Sequence, residues 1–562
     1  MKEIIYKYVL YNAVMYNGKA NAKAIIGKVI AENPKLKNNM NKLGKEISDI
    51  VKKVNVMPAE TQLLELQKLA PELLEEKKEK EKVLKNLHGA VKGNIITRMP
   101  PEPSKYAHLG HALSFLINYV YAKKYEGKCV LRYEDTNSDK VTSEYVDAME
   151  FDIKEYLEIK PDSTRFVSDD MAILIDYAKK LLNKENAYVC FCNREDMQNL
   201  RHKGQECVCR NKAIEKNIDD WERMIDGGFK EGECTLRLKA DMSSDNHVMR
   251  DPVIFRINKT SHYRQGKKYS AWPLYDFYNP IEDELCGVTY ILRSNEFGSM
   301  RNELHNYLRK LLGFKIPEVF EYGRFNVTDK ISQGREVRDL IEQKKVKGWD
   351  DPRLITLKAL RRRGIIKETY YELVKEVGLS KTQTNIDFEV IGAINRKLLD
   401  KRCNRYFFIN NAVKVDIKNS PNKEVKLPLH PEIKDKGFRK IETGSKFYIE
   451  KSDYNKIIDG KLNRLMDCLN FIKKNDDFIF DSEDYINFKN SENKGLIMHY
   501  LPVSKTLIKS EILMDNGDYI KGFAEPSIST LVEGDIIQFE RFGFVRLETI
   551  KSNILRFVFA HK

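Results

Sequence analysis

The sequence predicts a multidomain protein of the α/β plus all-β class, in which a parallel-sheet domain, split by an insertion, is joined to helical domains and two C-terminal β-barrels. Three observations predict this class. A strand–helix–strand pattern begins near residue 94, apolar runs return at 285–294 after a segment of different texture, and short alternating strands follow residue 403. The length of 562 residues, about four times that of a typical domain, leaves room for all these parts.

Composition and charge restrict the functional classes. Lys and Arg number 97 against 83 Asp and Glu, so the formal net charge is +14. This excess predicts a polyanionic partner, with nucleic acid favoured over membrane. The nine cysteines are sparse and odd in number, so we expect a reducing, cytoplasmic setting. Runs of about 18 apolar residues and a signal-peptide pattern are lacking, so we expect no membrane association.

The N-terminal region is predicted to be helical. Apolar residues recur every three or four positions between residues 21 and 55. Residues 71–87 mix both charge signs, which is typical of a solvated helix face or a tether.

The α/β domain begins with a short apolar run at residues 94–97, followed by a proline-rich loop. The tetrapeptide His108-Leu-Gly-His111 then opens an amphipathic helix, for which Gly127 is the predicted C-terminal stop. A second β-type run follows at 129–135. A strand, a helix and a strand in this order predict a parallel sheet with a right-handed crossover.

The remaining changes of pattern set the other boundaries. We expect six segments: an N-terminal helical domain (1–93), the first half of the α/β domain (94–187), an insertion (188–271), the second half (272–323), a helical basic connector (324–403) and two small β-barrels (404–562).

The His108–His111 motif indicates phosphate binding. It follows a strand and opens a helix, where backbone N–H groups and the helix dipole favour an anion. Gly110 allows a ligand to approach the backbone closely. Two imidazoles three residues apart can both donate to phosphate and stabilise charge during attack at phosphorus. Two ordinary surface histidines beside a helix cap remain the alternative.

Four segments, in order, resemble the archaeal-type glutamyl-tRNA synthetases. They are the runs PPEPSKYAHLGH, LRYEDTN, WPLYDFYNPIEDELCGVTYILR and GWDDPRLITLKALRRRGI, and the end of the chain resembles the anticodon-binding region of that family. The resemblance extends from about residue 90 to 562 and implies a split Rossmann-like catalytic domain with an inserted acceptor-stem-binding domain. It also implies ATP-dependent activation of L-glutamate, with Mg²⁺ on the phosphates, and transfer to the terminal adenosine of tRNA(Glu).

The resemblance also implies roles for single residues. His108, Gly110 and His111 would contact ATP, and Arg98, Glu134 and Tyr275 would line the amino-acid pocket, with Glu134 at the α-ammonium.

Arg293 is the residue on which we base the choice of substrate. A buried γ-carboxylate needs a cation, and guanidinium groups match carboxylates. Arg98 and Arg293 both stand at the carboxyl ends of predicted parallel strands, where open α/β sheets bind ligands. Glutaminyl enzymes resemble this chain but lack the second arginine, so glutamate is favoured. A structural ion pair is the alternative for Arg293.

Three positions depart from the family. Its second loop usually carries a Ser-Lys pair, whereas Ser332 is followed here by Gln333, so Lys330 or Arg335 is expected to supply the charge to ATP. Lys105 replaces a usual glycine, and the run from Tyr290 replaces one that starts with histidine. A glutaminyl-tRNA synthetase and a degenerate paralogue that binds tRNA without efficient charging therefore remain alternatives.

Four cysteines form two C-x-C pairs. Cys190, Cys192, Cys207 and Cys209 suit a tetrahedral structural zinc, with His202 as a substitute ligand and four reduced thiols as the alternative.

The basic run before residue 364 is expected to contact tRNA phosphates. Its members are Arg353, Lys358, Arg361, Arg362 and Arg363; a solvated basic face is the alternative. Aromatic residues of the β-barrels are available to stack on single-stranded anticodon bases, but more of them are expected to lie in the core. They are Tyr406, Phe407, Phe408, Phe539, Phe542 and Phe544. We expect a monomer, and whether tRNA(Gln) is also glutamylated stays open.

Overall fold

The structure is a computed structural model that describes residues 2–16, 18–33, 36, 39–74, 84–328, 330–331 and 333–562. The chain divides into two compact units after Val83. No helix in the described ranges has the length and apolar character that a membrane span requires.

The first unit is a helical bundle. Its helices are α1 (Lys2–Met15), α2 (Ala22–Glu32), α3 (Met40–Val54) and α4 (Ala59–Leu69). The amphipathic spacing of α3 places Leu43, Ile47 and Val54 in the core with Leu66 of α4.

A parallel sheet opens the second unit. Its elements are β1 (Ile96–Met99), α5 (Leu109–Lys124), β2 (Lys128–Tyr133), α6 (Ser143–Phe151) and β3 (Ser163–Phe166). The strands lie in the order β1-β2-β3 and both pairs are parallel, as the sequence pattern predicts. The prediction that Gly127 ends the helix is wrong, because α5 ends at Lys124. Gly127 is required for close packing, since a Cβ there would lie 2.0 Å from the Ile95 carbonyl oxygen.

An antiparallel sheet interrupts this domain. The elements that follow β3 are α7 (Met171–Asn183), β4 (Ala187–Cys190), α8 (Arg194–Lys203), α9 (Ile214–Ile225), β5 (Thr235–Leu238), β6 (Val253–Ile257) and β7 (Ala271–Pro273). Strands β4 to β7 pair in sequence order, all antiparallel.

The parallel arrangement then resumes. Its elements are α10 (Tyr275–Leu285), β8 (Tyr290–Ser294), α11 (Gly298–Leu312) and β9 (Glu318–Tyr322), and β8 and β9 are parallel. Thr289 exchanges two hydrogen bonds with Ile96, at 2.8 and 3.0 Å. These bonds place the start of β8 beside β1, so the two halves form one domain around the insertion.

Helices and a short parallel strand pair connect this domain to the C-terminal sheets. The elements are β10 (Phe325–Val327), α12 (Gly334–Glu342), α13 (Leu357–Arg363), α14 (Lys367–Val377), β11 (Thr384–Ile386) and α15 (Phe388–Leu399). The α13 helix begins at the Thr356 cap and ends at Gly364, whose φ of 90° is left-handed.

Two sheets of seven strands form the C-terminal region. In chain order the elements are β12 (Arg405–Tyr406), β13 (Phe408–Asn410), β14 (Ala412–Lys418), β15 (Lys423–Pro428), β16 (Phe438–Thr443), β17 (Lys446–Glu450), α16 (Lys451–Tyr454), β18 (Leu462–Leu465), β19 (Asn470–Lys474), β20 (Asp477–Ser482), α17 (Tyr485–Asn490), β21 (Lys494–Met498), β22 (Leu501–Pro502), β23 (Ile508–Leu513), β24 (Tyr519–Ala524), β25 (Ile536–Phe539), β26 (Gly543–Lys551) and β27 (Ile554–His561). The sheet orders are β12-β25-β26-β27-β23-β24-β13 and β21-β18-β19-β20-β14-β17-β22, and β15 pairs with β16 separately.

The first of these sheets is nearly a barrel. Its edge strands β12 and β13 are separated only by Phe407, so the two edges meet. The prediction of a C-terminal all-β region is confirmed: it contains two β-sheet domains, and one of them nearly closes into a barrel. Five of the six aromatic residues predicted to lie in the core are buried, and Phe542 is partly buried.

Candidate active site

The two histidines cap the helix that follows the first strand. The Gly110 amide donates to His108 Nδ1, and the His108 amide donates to His111 Nδ1, both at 3.1 Å. The two rings lie 3.8 Å apart between centroids. A Cβ at position 110 would lie 3.0 Å from the His108 ring and 3.3 Å from the Phe325 carbonyl oxygen, so a larger residue would fit this corner only if its neighbours shifted slightly.

These hydrogen bonds determine the chemical state of both rings. Each Nδ1 accepts a backbone proton, so each neutral ring carries its own proton on Nε2. Burial lowers the pKa of His108 well below 6.5, and burial and nearby Lys105 lower the pKa of His111 to about 3. Near pH 7 the histidines are therefore neutral hydrogen-bond donors to an anion, and any positive charge must come from other residues.

The second loop packs against the proline-rich loop. A Cβ at Gly334 would lie 2.6 Å from Lys105 Cδ, so the methylene groups of Lys105 cover this glycine. Arg335 is exposed in the first turn of α12, and Lys330 is partly exposed. The predicted ATP contact at Ser332 lies outside the described residues.

A buried ionic cluster lies at the ends of β1 and β2. Asp283 of α10 accepts from Arg98 Nε at 3.1 Å, from Arg132 Nη1 at 2.8 Å and from Arg309 Nη2 at 2.7 Å. Burial raises the pKa of Asp283, but the three guanidinium groups outweigh it and hold the pKa below its ordinary value. Arg98 is 1% exposed, and its Nη1 has no hydrogen-bond partner among the described residues. A buried, unpartnered charged donor is costly, so Nη1 is suited to bind an anionic ligand.

Glu134 lies beside this cluster. Its Oε1 accepts from Arg132 at 2.9 Å and from Asn279 at 3.3 Å, and the Tyr278 hydroxyl donates to Oε2 at 3.4 Å. Burial raises the pKa of Glu134, while Arg132 opposes the rise. Tyr275 packs edge-on against Tyr278, with ring centroids 5.8 Å apart, and burial together with Glu134 raises its pKa to about 12. The sequence-predicted Glu134 and Tyr275 are thus brought together with Arg98.

Arg293 lies on β8 and is 4% exposed. Its Nη2 donates to Glu321 of β9 at 3.3 Å and to Asn302 of α11. Arg98 and Arg293 are both close enough to Arg309 to lower its pKa further, after the larger effect of burial. The ion-pair alternative is therefore observed, with Glu321, and the substrate role stays a prediction.

The cluster holds an excess of positive charge. Four arginines (98, 132, 293 and 309) donate to three carboxylates, those of Asp283, Glu134 and Glu321. The buried Glu282 also acts on Arg132, but burial raises the pKa of Glu282 to about 8, so it adds little negative charge near pH 7. A ligand with carboxylate groups would balance this excess, and Glu134 can accept from an ammonium group.

Sequence reasoning missed Arg132, Asp283 and Arg309. A signal existed for Arg132, because it stands on β2 two residues before Glu134, and extended backbone directs side chains two residues apart to the same side. Asp283 lies on α10 within the third of the resembling runs, where no role was assigned to it, and Arg309 lies on α11, where no local pattern distinguishes it from a surface charge.

The four cysteines come together in the insertion. Their Sγ atoms all lie within 4.8 Å of one another, and those of Cys190 and Cys207 are 3.8 Å apart. Tetrahedral zinc with bonds of about 2.3 Å requires sulfur–sulfur distances near 3.8 Å, so the geometry fits this ion. Arg237 Nη1 donates to Cys207 Sγ at 3.5 Å, which favours thiolate. His202 packs near His247 and is not part of the cysteine group.

The residues of the basic run differ in their contacts and exposure. Lys358 Nζ lies 4.7 Å from the Tyr106 ring centroid and the guanidinium of Arg361 lies 4.2 Å from that of Phe151, and both side chains remain partly exposed. Arg353 and Arg362 are partly exposed and paired with Asp351 and Glu548 respectively.

Arg363 does not fit the predicted role in tRNA binding. It is 1% exposed and donates to the carbonyl oxygens of Ala560 at 2.6 Å, Phe559 at 3.2 Å and Pro352 at 3.2 Å. Its guanidinium is used to bind the C-terminal strand, so it is not available to RNA.

Comparison with known proteins identifies the relatives of this fold. Residues 94–401 match the family described as tRNA synthetases class I (E and Q), catalytic domain. Residues 403–490 and 467–548 match two anti-codon binding domains of the same group. The chain is 37% identical to glutamate–tRNA ligases of Pyrococcus furiosus and Methanocaldococcus jannaschii, over the full length of each pair. It is 36% identical to that of Pyrococcus abyssi, again over both full lengths.

Proposed function

The chain belongs to the class I tRNA synthetases for glutamate and glutamine, and we propose that it is a glutamate–tRNA ligase. It joins L-glutamate to the 3′-terminal adenosine of tRNA(Glu) in two steps, with ATP as the source of energy. The observation that carries the choice of amino acid is the excess of buried guanidinium groups around Asp283, with Arg98 Nη1 unpartnered among the described residues. A dicarboxylic amino acid supplies the negative charge that this cluster lacks.

The first step joins glutamate to ATP. The α-carboxylate attacks the α-phosphorus, and pyrophosphate leaves. Glu134 accepts from the substrate ammonium, Arg98 donates to a carboxylate, and Arg293 donates to the γ-carboxylate in a pocket that includes Tyr275. Magnesium bound with ATP neutralises phosphate charge.

The helix corner holds ATP during this step. His108 and His111 donate from Nε2 to phosphate oxygens, and the backbone at Gly110 approaches the nucleotide. Because both rings are neutral, they stabilise the developing charge by hydrogen bonding. Ser332 is expected to contact ATP, and Lys330 or Arg335 of the same loop is the source of positive charge that the sequence predicts for the phosphates. A ribose hydroxyl of the tRNA then attacks the adenylate carbonyl and releases AMP.

The tRNA follows the partly exposed basic residues of the connector to the C-terminal sheets. Arg353, Lys358, Arg361 and Arg362 contribute phosphate contacts, and Arg363 supports the surface from inside. The protein acts as a cytoplasmic monomer, and tRNA(Gln) is a second candidate substrate.

Cys190, Cys192, Cys207 and Cys209 would hold a structural zinc in the insertion. Four thiolate ligands would leave no position for catalysis, so the ion would stabilise the fold.

The activity is tested by ATP–pyrophosphate exchange with glutamate and with glutamine, each with and without total tRNA. We expect exchange and aminoacylation with glutamate. Exchange with glutamine alone would instead assign a glutaminyl enzyme. Tight, salt-sensitive tRNA binding without charging would assign a paralogue that has lost the reaction.

A further inference from the structure

The histidine corner lacks a charge that its ligand requires. The triphosphate of ATP carries several negative charges, whereas His108 and His111 are neutral near pH 7 because both Nδ1 atoms accept backbone protons. Neutral donors are weaker phosphate ligands than cations. A cation from another segment must therefore neutralise the phosphates together with magnesium.

Two cations act on the histidine pair. Lys105 and Arg324 both lower the pKa of His108, after burial and His111, and Lys105 also lowers that of His111. Arg324 is already paired, with its Nη1 2.6 Å from Glu296 Oε1. Lys105 Nζ has no hydrogen bond or ion pair among the described residues, although its side chain is partly buried.

Packing explains how Lys105 is directed. Its methylene groups cover Gly334, where a Cβ would lie 2.6 Å from Cδ and 3.3 Å from Cβ of the lysine. The side chain therefore lies between the proline-rich loop and the second loop, three residues before His108. Arg338 of α12 donates to the Ser104 carbonyl oxygen at 3.3 Å and holds the two loops together.

We propose that the Lys105 ammonium group donates hydrogen bonds to the ATP phosphates and is the main cation of this corner, in place of Lys330 and Arg335. This inference rests on the proposed function, because it assigns a residue to the same reaction. The charged groups facing Lys105 are Glu102, Arg324, Arg338 and Glu296. Two are acidic and two basic, so their charges oppose one another, and burial is the main cause that lowers the pKa of Lys105. A bound phosphate would favour the charged ammonium form.

The test compares four variants of the full chain. Lys105→Met keeps the methylene packing on Gly334 and removes the charge, whereas Lys105→Arg keeps a cation. Lys160→Met is the matched control, because Lys160 is exposed in the same domain. A double variant, Lys330→Met with Arg335→Met, measures the contribution of the second loop.

We expect Lys105→Met to lower kcat/KM for ATP in pyrophosphate exchange by about 10²- to 10³-fold, the usual effect of removing one transition-state donor. The KM for glutamate and the thermal unfolding temperature should stay near wild type, and Lys105→Arg should recover much of the loss. The loop double variant should lose less than Lys105→Met.

Wild-type ATP kinetics in Lys105→Met would overturn the inference. A greater loss of kcat/KM for ATP in the loop double variant than in Lys105→Met would also overturn it. So would a loss of activity in Lys105→Met that comes with a lower unfolding temperature, if Lys105→Arg restores neither. Calorimetric titration with Mg·ATP separates this inference from the proposed function. If the wild type shows no exchange with either amino acid, the function fails, while weaker ATP binding by Lys105→Met would still support its phosphate contact.

Discussion

Replacing Arg293 by methionine should decide whether this residue binds substrate or only serves an ion pair. Methionine keeps most of the side-chain volume and removes the guanidinium. Arg293 is 4% exposed, so a γ-carboxylate bound to it is largely shielded from water. Removing one partner of such a pair costs about 2–5 kcal/mol, which corresponds to about 30- to 5,000-fold at 1.36 kcal/mol per tenfold.

The matched variant is Glu321→Gln, which removes the carboxylate that accepts from Arg293 at 3.3 Å. Glu321 is 22% exposed, so it can be hydrated when Arg293 is lost. If Arg293 binds substrate, Arg293→Met raises the KM for glutamate by the factor above and leaves the KM for ATP nearly unchanged. Glu321→Gln should then leave the KM for glutamate unchanged or lower it, because the guanidinium loses a competing anion.

The assay is ATP–pyrophosphate exchange over a range of glutamate and glutamine concentrations, with thermal unfolding measured in parallel. Equal losses of activity and stability in both variants would show that the ion pair is structural and refute the substrate role. An unchanged KM for glutamate in Arg293→Met would do the same.

Three further outcomes follow from the structure. The pKa of His111 is about 3, against an ordinary 6.5. Between these values the folded state binds fewer protons than the unfolded state, so stability is lost as the pH falls from about 6.5 towards 3. His111→Asn should remove this contribution, and the same pH dependence of thermal unfolding in both proteins would contradict it. Metal analysis should find one zinc ion per chain in the wild type and less in Cys207→Ser. The control Cys403→Ser changes a cysteine outside the cluster and should keep the metal. Equal metal content in all three proteins would exclude the site. Arg361→Ala should weaken tRNA binding and reduce by about 1 the slope of log affinity against log salt concentration. Arg363→Met should chiefly lower the free energy of unfolding, by about 1–3 kcal/mol, because buried hydrogen bonds are lost. The opposite pattern in filter binding and thermal unfolding would reverse their roles.

Local patterns in the sequence predicted much of the fold and part of the site. The strand–helix–strand order around residue 108 predicted the parallel pair β1–β2, because apolar period and chain direction are local properties. The same pattern placed His108 and Gly110 at a helix start. The contacts that explain the observed surroundings of Gly127 and Arg363 lie on other segments. Gly127 meets the Ile95 carbonyl, and Arg363 meets carbonyl oxygens nearly 200 residues away.

By itself, the sequence determined which chemical groups this protein possesses and which of them stand at strand ends and helix starts, because these positions depend on neighbours within a few residues. Only the tertiary structure decided how the charges are shared. Asp283 binds three arginines from β1, β2 and α11, and this pairing leaves Arg98 Nη1 without a partner among the described residues. The balance of a buried cluster is a sum over groups from distant segments, so it is settled only when the chain has folded and water has been excluded.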